Sequence, residues 1–415
     1  MMLMTKKIRA SMLATLMALP LAGMTALTLS SDAWAQTAGG WRKEVADKLT
    51  GAQAAAQKGS FNEAIRLLKE AKAKAPLSAQ EEHGINEYLI YAAASANDHR
   101  LVIQTVDERI ATGRISGAEL QKKLRLKATT HYSLREYRDA KAALDRLATT
   151  GALNTDDLIL LANCQMQLRD FRAAAPTLEK AIAGADKARK PVSVTSKLLL
   201  ALHEAYQQTG NETAKLQTLH RLMLVAPSRD SFKWIASAYE VKTQRDPVVM
   251  INIYRLGASR GLLSGEHYAK YAETALDMSS PGEAVTMLEK GMASGAIKKD
   301  DRNNRLLADA KSQVDRVKAT LAQQEREAQA IQAGEPEAKV ATAYFTLKNY
   351  AKASEAAKRG VTKGKLRRPD DLHMLLGIAL FETKKAAEAK NAFKAAAAAN
   401  EKLKGVADLW SSMAG

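Results

Sequence analysis

The chain has one cysteine, Cys164, among its 415 residues. A single thiol excludes any internal disulfide and leaves packing to hold the fold. Its neighbours Leu160, Leu161 and Ala162 place it on a helix packing face, as an inert buried thiol rather than a nucleophile. Aromatic residues make up only 5% of the chain, little for the core of one globular enzyme, so alanine must carry much of the packing. The seven histidines, His83, His99, His131, His203, His220, His267 and His373, are scattered. None makes an i, i+4 pair with another ligand in a recognised metal motif, and neither a phosphate-cradling glycine loop nor Gly-x-Ser-x-Gly occurs. Acid pairs such as Glu81-Glu82, Asp156-Asp157 and Asp300-Asp301 stand where helices would start, which suits the positive end of a helix dipole. No catalytic constellation emerges, so the chain reads as non-enzymatic, with no cofactor and no metal. An active site in a poorly patterned segment is the discounted alternative.

What is present begins at the N-terminus. Lys6, Lys7 and Arg9 precede an apolar stretch from Ala10 to Leu29, and Ala33-Trp34-Ala35 follows. Basic, apolar, then small residues is the order of a cleavable export signal, which predicts cleavage after Ala35 and a periplasmic mature chain. No later stretch approaches 18 consecutive apolar residues. The formal net charge is +17; three of the 62 basic and one of the 45 acidic residues lie within residues 1–35, leaving +15. In an exported chain that excess points to acidic protein segments or an anionic envelope surface, not to nucleic acid.

Residues 369–400 show the organising unit. Leu376, Leu380 and Phe393 supply bulk, while Gly377, Ala389 and Ala396 leave room where two helices cross. Small residues set the crossing distance and large ones fill the remainder. The same alternation recurs with its small position at Ala64, Leu101, Ala140, Ala174, Lys215, Met250, Ala284, Ala319, Ala353 and Ala389, at intervals of 34 to 41 residues. The pattern resembles the tetratricopeptide repeat. It predicts an all-α solenoid over residues 45–400: about ten helix-turn-helix repeats in a right-handed superhelix, closed by a capping helix in 401–415. The second repeat is degenerate, with Leu101 at the small position, and so is the eighth, with Gln323 and Arg326 where apolar residues are expected. The charged stretch ending at Pro191 predicts a hinge near 185–193.

The resemblance also implies a concave face lined by the first helix of each repeat. Carried onto this sequence, it falls on Lys122, Arg125, Asn163, Lys197, Tyr239, Lys242, Glu273, Phe345 and Phe381. Such a mixed lining suits an extended peptide, with aromatics as anchors and charges setting register. A second candidate is the basic loop Lys363, Lys365, Arg367 and Arg368 before Pro369, facing an anionic surface or an acidic segment.

The stretch from Ala226 to Trp410 resembles a narrower group. Ala226-Pro227-Ser228-Arg229-Asp230, Trp234-Ile235-Ala236-Ser237-Ala238-Tyr239, Gly261-Leu262-Leu263 and Gly364-Lys365-Leu366-Arg367-Arg368-Pro369-Asp370 are similar to motifs of periplasmic tetratricopeptide-repeat proteins associated with TonB systems. The resemblance implies a scaffold that assists TonB, ExbB and ExbD in transport across the outer membrane. Its partner would be one of those components or an extended acidic, proline-rich segment. The alternative is an adaptor for cell-wall or envelope-polysaccharide machinery, which the same export signal, repeat and charge would fit.

Overall fold

The computed structural model describes residues 40–414; the expected export signal lies outside them. Twenty α-helices and one 3-10 turn account for most of the described residues, and no strand occurs among them. No described helix is long and apolar enough to cross a membrane. The residues group into two compact units, divided between Glu212 and Thr213. The first contains α1 (Lys43–Gln57), α2 (Phe61–Lys72), α3 (Ala79–Ser95), α4 (His99–Ala111), α5 (Gly117–Ser133), α6 (Tyr137–Thr150), α7 (Thr155–Gln167), α8 (Phe171–Lys187) and α9 (Val192–Thr209). At the division starts α10 (Glu212–Val225). The second unit continues with α11 (Arg229–Lys242), α12 (Pro247–Ser259), α13 (Glu266–Asp277), α14 (Pro281–Ala293) and α15 (Asp301–Ala330). It ends with α16 (Glu335–Thr346), α17 (Tyr350–Lys363), α18 (Pro369–Glu382), α19 (Ala386–Ala399) and α20 (Lys404–Met413).

One turn recurs in seven of the eight hairpins. The first helix ends, a single residue takes the left-handed conformation, and the next residue opens the second helix. The left-handed position falls on Gly59, Asn97, Arg135 and Arg169 in the first unit, and on Ser279, Lys348 and Lys384 in the second, whereas α11 and α12 are joined through two such residues, Gln244 and Arg245. The amide that follows reaches back to the carbonyl five residues earlier, as Asp98 does to Ala93 (2.8 Å), Asp170 to Gln165 (2.9 Å) and Lys385 to Leu380 (2.8 Å). That bond satisfies a carbonyl that the helix end leaves orphaned. Side chains then cap the starts: Ser78 and Glu81 reciprocally at α3, Asn154 and Asp157 at α7, and Asp98, Asp170 and Asp246 at α4, α8 and α12. A start with such a cap gains about 1 kcal/mol over alanine.

The small positions do what their spacing predicts. Ala64, Ala140, Ala174, Ala284, Ala353 and Ala389 are all buried within their hairpins. A Cβ on Gly377 would lie 2.4 Å from the Phe393 ring, so α18 and α19 touch through a missing side chain. Four hairpins of tetratricopeptide type form in each unit: α1/α2, α3/α4, α5/α6 and α7/α8, then α11/α12, α13/α14, α16/α17 and α18/α19. The degenerate second repeat is a regular hairpin with Leu101 buried.

The eighth repeat is not a hairpin. Residues 301–330 form one 30-residue helix, α15, about 45 Å long at 1.5 Å per residue. No glycine, proline or left-handed residue interrupts it, and its alanine, glutamine and glutamate content sustains the helix. The expected small position, Ala319, is exposed. The segment expected as a hinge, 185–193, is described in its local structure only. It lies inside the first unit, where α8 continues to Lys187 and the Lys190 ammonium pairs with Asp156 at 2.6 Å.

Candidate partner-binding face

In the first unit, charged side chains link successive repeats. Arg42 donates its backbone and side-chain N–H groups to Glu81 (3.0 and 3.2 Å). Lys123 reaches Glu87 (2.7 Å), and the Arg125 guanidinium meets both oxygens of Asp157 (2.9 and 3.0 Å). Amides of Ser78 and Arg42 hold the Glu81 carboxyl down to about 2. These bonds tie α1 to α3, α3 to α5 and α5 to α7, so much of the charge on this face serves stacking.

Sequence-predicted groove residues divide accordingly. Arg125 belongs to that ladder, and Asn163 is buried, with its carbonyl oxygen unpartnered. Lys122, one turn before Arg125, is exposed and makes no ion pair among the described residues. Lys197 is half-buried, and Lys242 and Glu273 are exposed. Phe345 is no groove anchor: it is buried beneath the Arg255 guanidinium, 4.6 Å from the ring centre.

Tyr239 and Phe381 converge on one structure, the C-terminal helix. Tyr239 is buried, and its hydroxyl meets His220 Nε2 at 2.8 Å with the rings stacked. A Cβ on Gly405 of α20 would lie 2.1 Å from that hydroxyl. Phe381 stands edge-on to Trp410, at 5.5 Å between centres, while Phe393 stacks on its other side at 6.0 Å. Trp410 Nε1 donates to the main-chain carbonyl of Asn252 in α12 at 3.1 Å, 158 residues earlier. The expected capping helix therefore does more than cover α19: it crosses to α11 and α12 and fills the face on which the sequence placed two anchors.

Behind that face lies a polar network that repeat counting does not reveal. Arg255 forms two parallel bonds to Glu283 (3.0 and 2.7 Å) and a third to Asn252 Oδ1 (3.2 Å), while Tyr271 donates to Glu283 (2.5 Å). The guanidinium holds the Glu283 carboxyl below its usual range against the opposing effect of burial, and burial raises the nearby Asp371 carboxyl. Asn252 joins this network to the carbonyl that Trp410 uses. The signal in sequence is Arg255 itself, the one charged residue in a mostly apolar segment, 248–258.

The basic loop is split as well. Lys363 turns inward and donates to the Ala328 and Gln329 carbonyls (2.7 and 3.1 Å) and to Glu337 (3.0 Å). It closes the C-terminal end of α15, where a cation suits both the free carbonyls and the dipole. Lys365, Arg367 and Arg368 remain exposed. Two groups have spacing that could hold a cation, His83 with Glu87 and Glu119, and His131 with Glu136 and Asp139. In each a guanidinium already serves the acids: Arg109 lies between His83 (2.6 Å) and Glu119 (3.1 Å), and Arg100 pairs with Glu136. These donor sets fit ion pairing.

No family model matches the chain, and no curated protein sequence is similar to it. Solved structures match the chain at low identity and low TM-score. A chain from the structure of Naa15/Naa10 bound to HypK-THB is 15% identical with a TM-score of 0.41, over 86% of this chain and 54% of that one. The present chain thus spans about half the length of that relative. A tetratricopeptide repeat protein from Parabacteroides merdae is 14% identical with a TM-score of 0.35, over 65% of this chain and 99% of that one. Yeast Tom70 is 12% identical with a TM-score of 0.25, over 89% and 95%.

Proposed function

We propose that this chain is a non-enzymatic periplasmic scaffold that holds protein partners and assists TonB, ExbB and ExbD in energised transport across the outer membrane. The observation that carries the scaffold reading is the arrangement of hairpins itself. Successive repeats are locked by ion pairs through Glu81, Glu87 and Asp157, while Lys122 on the same face stays free of ion pairs among the described residues. A rigid array with charges left over favours docking of an extended segment, because little order is lost on binding.

The TonB assignment is supported by the motif resemblance from Ala226 to Trp410, and the export signal supports the compartment. An extended segment rich in proline, glutamate and lysine matches the exposed cations Lys122, Lys365, Arg367 and Arg368. In vivo crosslinking of the tagged protein tests the partner. Recovery of TonB, ExbB or ExbD is the expected result; recovery of wall-synthesis or polysaccharide-export proteins instead removes the TonB assignment. Charge reversal at Lys122, or at Arg367 with Arg368, should weaken binding of the extended segment about tenfold, since loss of a charge-assisted contact removes about 1.5 kcal/mol. Unchanged affinity in both variants removes the electrostatic part.

A further inference from the structure

We infer that His83, Arg109 and Glu119 form an acid-sensitive latch across the seam between α4 and α5: protonating the imidazole removes the acceptor that holds Arg109 in place, and the block α1–α4 then opens away from α5–α8. The observation that carries this is the direction of one hydrogen bond. Arg109, near the end of α4, donates through Nη2 to His83 Nδ1 in α3 (2.6 Å) and through the same nitrogen to Glu119 Oε1 in α5 (3.1 Å). A guanidinium has donors only and does not give up its proton, so Nδ1 must offer its lone pair. The contact exists only while that nitrogen is unprotonated. A proton on it sets two donors face to face.

Burial makes the loss matter. Arg109 is only 5% exposed and its Nε has no partner among the described residues, so the guanidinium rests on these two acceptors. An imidazolium also competes for the second of them. His83 Nδ1 lies 3.7 Å from the Glu119 oxygen that Arg109 uses, and the Glu87 carboxylate is within 4.8 Å of both. A buried cation stripped of its acceptors is strongly destabilising. The other charges around the ring are already engaged. In α3, Glu82 pairs with Arg114 (3.0 Å) and Glu87 with Lys123 of α5 (2.7 Å). Glu108 of α4 pairs with Lys72 of α2, Asp107 of α4 with Lys127 of α5, and Arg42, ahead of α1, with Glu81 (3.2 Å). Each of these joins a carboxylate to a lysine or arginine and keeps its charges when a histidine titrates. His131 of α5 gives the contrast: its Nδ1 faces the Glu136 carboxylate at 2.7 Å, so acid strengthens that bond. Imidazole is the side chain whose charge ordinarily changes between pH 5 and 8. The stabilisation from the Arg109 contact is therefore present while His83 is neutral and is lost as pH falls. What then remains across the seam is Lys123 with Glu87 and half-buried Ile110, and a repeat array opens at its weakest interface. For a scaffold the consequence is release, since a segment held across α3 and α5 loses its seat in acid; that use rests on the scaffold reading, and the latch itself does not.

The experiment follows native-state amide exchange of the full chain alone at pH 7.5 and 5.5, with each rate corrected for intrinsic exchange at that pH, and compares α1–α4 with α7 and α8. The expected result is at least a tenfold loss of protection in α1–α4, relative to α7 and α8, on going to pH 5.5. His83→Gln places an amide oxygen that accepts from Arg109 at either pH, and should keep α1–α4 protected at both. His83→Lys fixes a cation there and should show the low protection already at pH 7.5. His131→Gln should leave the tenfold loss in place. Equal protection of the unaltered chain at the two pH values overturns the inference, and so does a tenfold loss that persists in H83Q. Should H83K lack a cooperative urea transition, the unaltered chain and H83Q decide the matter between them. Exchange is read without any partner, so the proteins captured in cells neither support nor remove the latch.

Discussion

At the scale of single residues, glycine decides how closely helices approach. Gly334 opens α16 with its amide bonded to the Gly364 carbonyl (2.8 Å), and a Cβ there would lie 2.2 Å from the Gly360 carbonyl oxygen. The obstacle is backbone on both sides, which cannot rotate away. Gly334→Ala should destabilise the second unit by about 1–3 kcal/mol, the usual cost of overpacking, measured as a lower urea midpoint with an unchanged slope. His220 supplies a pH test. Burial, with a smaller contribution from the charge on Lys242, depresses its imidazole to about 4. The unfolded chain therefore binds this proton from about pH 6.5 downward while the folded chain refuses it until about pH 4. Stability should fall as pH drops through that window, by up to about 3 kcal/mol, and this contribution should level off below it. His220→Gln keeps a hydrogen-bonding partner for Tyr239 and should flatten the slope in urea titrations between pH 7 and 4.5. Much at this scale was legible in sequence: the small positions at Ala64, Ala140 and Ala389 are where spacing put them. Tyr239 and Phe345 were not, because a repeat position states which face a residue occupies and not what the rest of the chain brings against that face.

The turns show the same limit at the scale of elements. Glycine takes the left-handed position at Gly59, yet the same backbone recurs at Arg135, Arg169, Lys348 and Lys384, all near +60° in φ. Side chains there tolerate a conformation that costs an L-residue about 1–2 kcal/mol, because the hydrogen bond across the turn and the cap that follows offset it. Nothing in an arginine announces this. Arg169→Gly should accordingly leave stability equal or higher, by about 1 kcal/mol at most, whereas the same change inside a helix lowers it. Helix α15 exposes the converse error. Counting in steps of about 34 residues puts the small position of a second helix at Ala319, but Ala319 lies exposed in the middle of one continuous helix. The Asp300 carboxylate accepts from the Asn303 amide (2.9 Å) at one end and Lys363 closes the other. Arg316→Pro should therefore cost about 3 kcal/mol by breaking a continuous helix; a change near zero would restore the hairpin reading.

At the scale of the whole molecule, the distribution of core separates the two units. In the second, buried apolar residues from Leu216 to Trp410 form one connected cluster. In the first they fall into separate clusters, Trp41 to Val106 and Leu124 to Cys164, and half-buried Ile110 packs against both. A repeat array behaves as a sum of repeat stabilities and neighbour interfaces, so a weak interface becomes a place where it opens. The seam between α4 and α5 is that place in the first unit. Polar groups cross it, Lys123 to Glu87 and Arg109 to Glu119, in each a buried cation with a half-buried acid, while apolar contact across it rests on half-buried residues such as Ile110. Amide exchange in sub-denaturing urea should then show α1–α4 opening as a block distinct from α5–α8, while α11–α19 open together. Ile110→Ala should widen the gap between the two first-unit blocks and leave the second unit unchanged. One block across all of α1–α8, unaffected by that substitution, would mean that the ion-pair ladder, rather than apolar contact, sets cooperativity in this solenoid.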